Sequence, residues 1–377
     1  MIASLAATRP PLREALFRMA SSAPEPLSGL LASAMAAAAR ISLERRRGPA
    51  RLILFVTRRC LLSCPFCLID RGDHGPELSA EAHEALAASL PGPLPMLLLT
   101  GGEPLLREDL VRVAAAYVRH ASTRQITVVT SGDHPDAAVR AARGILGTAA
   151  NLQLSIHVSI DAPDELHDAL RGSHGLFELA EQTVRRLRGM DRRLEVTVQT
   201  TIGPDNLAAL PGLNAQVRRL GVPHKLQLRR GPGEVFELPP DIAGPWPTAP
   251  SLDEPGRRAA IRAAEQIYRG ERSLAAHRQL AVMRLAYRVI AAGRRPVPCT
   301  AGRFDAVLWP EGGLSVCEAT QPFADLAAEG LDLGRAWLSA AAQLAREQTQ
   351  GCACTLPCHL TTSTAHDRRG ILALLKG

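Results

Sequence analysis

Aromatic residues are scarce: Trp, Tyr and Phe make up only 3% of the 377 residues. A nucleic-acid reader built on stacked bases needs aromatics beside its basic groups, so no nucleic-acid partner is expected despite a formal charge of +7. A long apolar run is also missing. The most apolar early stretch, Leu27 to Ala39, stops at Arg40 and reads as too short to cross a bilayer. Arg9, Arg13, Glu14 and Arg18 break up any signal-peptide region. There is no Walker-type phosphate loop, no His-Glu-x-x-His zinc motif and no Ser-His-Asp constellation. The expectation is a cytoplasmic chain without a membrane partner.

What is present is an ordinary globular balance, 46% hydrophobic and 21% charged, on a chain long enough for a large core and a second, smaller module. Eight cysteines stand out, because a cytoplasmic protein rarely holds them as disulfides and their spacings then point to metal ligation. Were roughly seven of them thiolates on two cubanes of about 2+ each, the positive excess would shrink to about +4. Arg45-Arg46-Arg47 then reads as a solvated hinge.

Residues 1–50 are Ala- and Arg-rich with helical patterning, a helical extension. From Arg51 the texture changes. Strand-like apolar runs lie at Leu52–Thr57, Met96–Thr100, Ile126–Ser131, Leu152–Ile160, Leu194–Ile202 and Lys225–Leu228. Helix-patterned stretches fall between them near 77–90, 105–120, 134–146, 175–189 and 205–220. Apolar strands separated by amphipathic helices predict an α/β fold with a parallel sheet covered by helices. The period alone does not separate a curled sheet from an open doubly wound one, but six βα units over 51–232 are expected to form a partial (β/α)6 TIM-like barrel. Residues 233–295 read as a Pro- and Gly-rich loop followed by bridging helices over Arg257–Ala292. A compact α+β region over 296–362 holds five of the eight cysteines, and 363–377 is a tail with a short final helix at 368–376.

Cys60, Cys64 and Cys67 form a C-x3-C-x2-C run directly after the first strand. Three thiolates in so short a loop can wrap one [4Fe–4S] cubane and leave the fourth iron without a protein ligand. An open metal position is what a catalytic site keeps. The competing reading is a zinc knuckle, for which His74 is the candidate fourth ligand.

The run C-x3-C-x-aromatic-C, with Phe66 as the aromatic, resembles the signature of the radical S-adenosylmethionine (SAM) superfamily. The resemblance implies that Cys60, Cys64 and Cys67 hold a cluster whose open iron takes SAM. It implies reductive cleavage to a 5′-deoxyadenosyl radical, with electrons from a flavodoxin- or ferredoxin-like partner. Thr100-Gly101-Gly102-Glu103-Pro104 after the second strand resembles the family's GGEP motif, whose backbone meets the SAM ammonium; a Cβ there would block that approach. Thr130-Ser131-Gly132, Ser159-Ile160-Asp161 and Arg171-Gly172 occupy further family-like positions. By resemblance Ser159 and Arg171 contact the SAM ribose and carboxylate, with Ser131 and Asp161 nearby. Ser131 stands where relatives often carry Asn. Caps and turns are the plainer alternatives for Ser131 and Asp161.

Five cysteines remain: Cys299, Cys317, Cys352, Cys354 and Cys358. A β-hairpin over Ala306–Trp309 and Leu314–Val316 would bring Cys299 and Cys317 together. The order resembles the SPASM or twitch extensions of radical SAM enzymes, which implies an auxiliary iron–sulfur cluster. Five cysteines are too few for two, so one auxiliary [4Fe–4S] cluster is expected. Cys299, Cys317 and Cys358 are its expected ligands. Cys352 and Cys354 compete for the last place, with His359 as a substitute. Four cysteines would also suit structural zinc.

His157, Gln199 and Gln227 lie on strands whose inward side chains would face SAM or substrate; a satisfied core histidine is the plainer reading for His157, and a hydrogen-bonded packing role is an equal alternative for the two glutamines. The resemblance implies hydrogen abstraction from a ribosomally made peptide or from a small natural-product intermediate. A peptide modifier often carries a winged-helix leader-binding domain, for which residues 1–50 read as too short and too helical. A separate peptide-presenting protein is then the expected partner. A non-catalytic iron–sulfur or zinc protein is the rival from another class.

Overall fold

The computed structural model describes residues 17, 20–67, 69, 70, 72, 75–231, 235, 236, 249–271 and 273–376. His74, most of the first helical extension before residue 20 and most of the 231–255 loop lie outside the described residues.

Every apolar run forms a strand: β1 (Arg51–Phe55), β2 (Met96–Thr100), β3 (Gln125–Thr130), β4 (Gln153–Ser159), β5 (Leu194–Ile202) and β6 (His224–Leu228). They pair in sequence order and all in parallel. Before them comes α1 (Glu25–Glu44), and between them run α2 (Ala80–Ala88), α3 (Leu110–His120), α4 (Pro135–Gly147), α5 (Asp164–Arg171), α6 (Leu176–Leu187) and α7 (Leu210–Leu220). Local chemistry starts these helices: Ser79 accepts the Ala82 N–H to cap α2, and Pro135 opens α4.

Strand side chains alternate between two environments. Leu52, Leu54, Leu97, Leu99, Ile126, Val128, Leu154 and Val198 enter the main core beneath the helices. Their neighbours Ile53, Leu98, Thr127, His157, Gln199 and Lys225 line one cavity of about 580 Å³. A single cavity walled by all six strands requires a curled sheet, which decides for the partial barrel over the open sheet. Ile53, Phe55, Met96 and Leu98 make the β1–β2 side of the inner face mostly apolar, with Arg51 at its edge, whereas β3 to β6 contribute mostly polar side chains.

The sheet continues past β1. β8 (Asp305–Leu308) pairs parallel with it, and β9 (Gly313–Ser315) and β10 (Ala324–Asp325) follow antiparallel. The expected hairpin therefore extends the barrel sheet instead of standing in a module of its own. It satisfies the β1 edge that an incomplete barrel would leave unpaired. α8 (Glu254–Ile267) and α9 (Leu274–Ala292) build a second core over Leu226, with Leu252, Met283 and Val289. Then come α10 (Leu333–Trp337), α11 (Ala340–Gln348) and β11 (Ala353–Cys354), which pairs with β7 (Val235–Phe236).

Two expectations are corrected. The final helix expected at 368–376 is α13 (Arg368–Lys376), but the stretch before it is not an unstructured tail, because α12 (Pro357–His366) fills it. The Thr- and Ser-rich α12 has weak helix propensity, but Thr362 and Ser363 are drawn in by hydrogen bonds to Thr300 and Arg295. Nor does the early apolar helix stop at Arg40. α1 runs on to Glu44, and its Leu27–Glu44 stretch is long and apolar enough, by length and composition, to cross a membrane. Ala32 and Ala36 of α1 pack on Ile371 and Leu375 of α13.

Candidate functional site

The cysteine loop leaves β1 at its carboxyl end, where barrel sites are built. Several segments grip its backbone. Thr57 Oγ1 and the Arg58 N–H both donate to Glu77 Oε1, at 2.6 and 2.9 Å. The Gly102 and Glu103 N–H groups donate to the carbonyls of Thr57 and Arg59 at 2.7 and 2.8 Å. From the far side, the Ser63 N–H donates to the Arg171 carbonyl at 3.1 Å. A Cβ on Gly102 would stand 2.1 Å from the Arg59 carbonyl oxygen, and one on Gly101, at φ +140°, 2.3 Å from that of Thr57. The glycine pair is thus demanded first by the cysteine loop itself. From the sequence, that room was expected to serve an incoming SAM molecule.

Cys60, Cys64 and Cys67 are half-buried. Burial raises the Cys64 thiol above its ordinary value; Arg171 opposes this, while Cys67, Asp161 and Cys60 add to it. Cys67 Sγ accepts the Ile69 N–H at 3.4 Å. Among the described residues, no three His, Cys, Asp or Glu side chains converge on a single metal ion. Tetrahedral zinc, with Zn–S near 2.3 Å, needs such convergence. A cubane spreads three thiolates over three irons and leaves the fourth open, which three cysteines in one loop fit; His74, the fourth ligand that a zinc knuckle would need, lies outside the described residues.

Around the loop, the family-like residues hold each other. The buried Glu103 carboxylate accepts from Leu105 N–H (3.0 Å), Thr130 Oγ1 (2.8 Å), Ser131 N–H (2.8 Å) and Ser131 Oγ (2.6 Å), latching β2 to β3. Burial and the nearby Asp133 raise the Glu103 carboxyl, against the pull of its Ser131 hydrogen bonds. Arg171 Nε and Nη2 reach Asp161 Oδ2 at 2.9 and 2.7 Å, and Asp161 Oδ1 accepts the Thr201 N–H at 2.7 Å. The carboxylate that Arg171 meets is therefore one of the chain's own. Ser159 is buried at the end of β4, in register with Gln199. Phe66 lies under two guanidinium groups, Arg229 at 4.6 Å and Arg171 at 5.8 Å. Arg229, which sequence reasoning missed, is fixed by a bidentate pair with Asp205 at 2.6 and 2.9 Å.

In the cavity below, Gln199 and His157 interact, and burial together with Lys225 holds His157 well below its ordinary value, hence neutral. Gln227 donates to Thr201 Oγ1 at 2.8 Å. Lys225, also missed from sequence, has the same strand parity as Gln227, the one signal that could have found it. Burial lowers its ammonium to about 8, opposed by Cys358 and helped by Arg278 and Arg51. At the cavity's edge runs a buried charged chain. Arg51 Nε donates to Asp305 Oδ1 (2.7 Å); His359 joins Asp305 Oδ2 (2.9 Å) to Glu318 Oε2 (2.7 Å). Burial alone would lower His359, yet Glu318 and Asp305 on either side raise it well above its ordinary value. His359 is therefore held as an ion-pair centre and is not available as a substitute cluster ligand.

Cys299, Cys317, Cys352 and Cys354 pack together, whereas Cys358 packs against Ile53, Phe55, Val307 and Trp309 on the barrel's inner face. This departs from the expected set, in which Cys358 was a ligand and Cys352 competed with Cys354.

Residues 54–211 match the family described as the radical SAM superfamily. The chain is 33% identical over 166 residues to the pre-heme d1 synthase of Dinoroseobacter shibae, covering 42% of this chain and 38% of that protein. It is 31% identical over 164 residues to the sporulation killing factor maturation protein SkfB of Bacillus subtilis, covering 42% and 37%. The matches span less than half the length of either relative. The fold is similar to that of Streptococcus suis SuiB bound to the precursor peptide SuiA, with a TM-score of 0.54 at 15% identity, over 85% of this chain and 71% of that one.

Proposed function

We propose that this chain, which carries a radical SAM domain over residues 54–211, is a radical SAM enzyme with an auxiliary iron–sulfur cluster in its C-terminal cysteine cluster. The observation that carries the reading is an open set of three thiols, Cys60, Cys64 and Cys67, on a backbone-clamped loop above a polar cavity. A [4Fe–4S] cluster with bound SAM would supply, on one-electron reduction, a 5′-deoxyadenosyl radical able to abstract hydrogen from an unactivated carbon.

The protein's part is to bind, orient and exclude. Cys60, Cys64 and Cys67 would hold three of the cluster's irons. Gly101 and Gly102 let the β2 end seat against the loop, and the Glu103–Ser131 latch fixes that seat. Asp161 keeps Arg171 charged beside Cys64, where its field favours thiolate. Gln199, Gln227 and neutral His157 offer uncharged polar groups to a substrate in the cavity. An auxiliary cluster held by the second cysteine group would lie near the cavity's edge, since Glu318, which follows Cys317, lines that cavity.

For substrate we favour a ribosomally made peptide, in line with the relative named for maturation of a killing factor. A second reading, a carboxylated small molecule, draws on the cationic Lys225 and Arg278 in the cavity wall and on the pre-heme d1 synthase relative. A flavodoxin- or ferredoxin-like protein would serve as reductant. The test is 5′-deoxyadenosine formation by anaerobically reconstituted protein with SAM and dithionite, beside a Cys60/Cys64/Cys67→Ala variant. Product from the wild type alone supports the reading. No product from protein shown to contain its irons overturns it, in favour of a non-catalytic cluster protein.

A further inference from the structure

The C-terminal cysteines divide because of backbone direction. Cys354 lies on β11 and Cys352 two residues before it. Residues two apart on extended chain face the same side, so the C-x-C spacing turns both thiols toward Cys299 and Cys317. Pro357 then opens α12, and Cys358 projects from that helix's first turn into the barrel cavity.

A second observation follows the same division for three of the four thiols, while Cys352 instead hydrogen-bonds Cys354. The sulfurs of Cys67, Cys299 and Cys317 each accept the N–H two residues on, from Ile69 (3.4 Å), Ala301 (3.5 Å) and Ala319 (3.4 Å). Cys354 receives the Leu356 N–H and the Arg295 guanidinium, the latter at 3.8 Å. N–H groups aimed at sulfur stabilise the thiolate and tune an iron–sulfur site. For Cys358 that donor is already spent, since the Leu360 N–H bonds the Leu356 carbonyl at 2.9 Å within α12. Its neighbour is instead the Lys225 ammonium, with which it interacts electrostatically.

We propose that Cys299, Cys317, Cys352 and Cys354 ligate the auxiliary cluster completely, and that Cys358 is an unligated thiol of the substrate cavity beside Lys225. The proposal rests on the auxiliary-cluster reading and deepens it. Four cysteines close all four irons, so substrate does not ligate the auxiliary cluster. Contact with substrate on that wall falls to the Cys358 thiol and the Lys225 ammonium, which together suit an oxygen acceptor lying against the apolar Ile53 and Leu98 surface.

The experiment is iron and sulfide counting on reconstituted wild type, Cys358→Ser, Cys352→Ser and Cys354→Ser, with N-ethylmaleimide labelling of wild-type holoenzyme read by mass spectrometry after denaturation. The expected result is about eight irons in the wild type and in Cys358→Ser. Cys352→Ser and Cys354→Ser should lose about half. Among the five C-terminal cysteines only Cys358 should be labelled. Loss of the auxiliary irons in Cys358→Ser, with retention in Cys352→Ser or Cys354→Ser, overturns the partition. So does labelling of Cys352 or Cys354 in wild-type holoenzyme while Cys358 stays protected, which stands even if a variant misfolds. Labelling of all five, with about four irons in the wild type, overturns the proposal together with the auxiliary-cluster reading, and is recognisable as that outcome.

Discussion

The two cysteine regions assemble their thiols by opposite routes. In the first, Cys60, Cys64 and Cys67 share one short loop, and what varies is how its backbone is seated: on Gly102, Glu77 and the Arg171 carbonyl. In the second, each part of the set comes from a different segment: Cys299 and Cys317 flank the paired β8 and β9, while Cys352 and Cys354 come from β11 in a separate two-stranded sheet packed against them. A contiguous set is robust to the fold around it but depends on close backbone contacts. A dispersed set depends on the fold and tolerates local adjustment.

The largest effect should come from removing one thiol in each region. Cys64→Ala is expected to lose about half the iron and to abolish 5′-deoxyadenosine formation. Cys299→Ala should lose a similar share of iron while retaining at least roughly a tenth of the substrate-free cleavage. Iron assays and chromatography of the nucleoside check both. Equal loss of cleavage in the two variants would break the distinction between an initiating and an auxiliary region.

Glycine substitutions probe the backbone side of the comparison. Gly102→Ala drives a Cβ against a carbonyl oxygen of the cysteine loop, which no rotamer can relieve. A displacement of about 1 Å at a reacting centre can cost about 100-fold, and a loss of that order in deoxyadenosine formation is expected. Gly302→Ala in the second region, at φ +70°, meets Val316 Cγ1 at 2.8 Å and both Val316 Cβ and Arg346 Cγ at 3.0 Å, on a buried valine and on an arginine held by the Gly302 and Trp337 carbonyls. Left-handed strain of about 1–2 kcal/mol and overpacking of about 1–3 kcal/mol should lower stability in denaturant unfolding, with the irons retained.

A smaller effect separates the wet cavity from the cluster packing. Burial puts the Lys225 ammonium at about 8 when folded, against about 10.5 for an ordinary lysine. Between those values the unfolded chain binds the extra proton, so stability rises with pH. Relative to Lys225→Met, the wild type should gain about 2 kcal/mol from pH 8 to 10.5, the full-burial ceiling of about 3 being reduced by cavity water. Parallel unfolding curves at the two pH values, with no gain over the variant, would show Lys225 to be fully solvated.

These contrasts also explain what was legible. The six parallel strands, the hairpin and the three-cysteine loop were readable because each is a local pattern: an apolar run, a Gly-Gly turn, a short spacing. Barrel closure was not, since it depends on which face of each strand is wet, and the polar inner residues of β3 to β6 looked like breaks in apolar runs. The division of the C-terminal cysteines was hidden because it turns on Pro357 starting a helix that Thr and Ser residues disfavour. The mutual pairing of Arg171 with Asp161 needed a distance that spacing does not carry.

The smallest expected effect tests whether the two regions are joined. Arg58, in the cysteine loop, makes a bidentate pair with Glu311 in the β8–β9 turn, at 2.7 and 3.2 Å, and its guanidinium lies 5.3 Å from the Trp309 ring centroid. Side-chain exposures of 17% and 24% make it neither a buried pair nor a solvated one. Arg58→Gln and Glu311→Gln should each cost about 1 kcal/mol, with a coupling of about 0.5–1 kcal/mol in the double-mutant cycle. If the pair transmits the position of the hairpin to the loop, Glu311→Gln should also lower deoxyadenosine formation by about twofold to threefold while leaving the irons in place. Stability coupling without that change would mean that the hairpin stabilises the barrel through the β1–β8 ladder, and that Gly102, Glu103, Glu77 and the Arg171 carbonyl seat the cysteine loop without it.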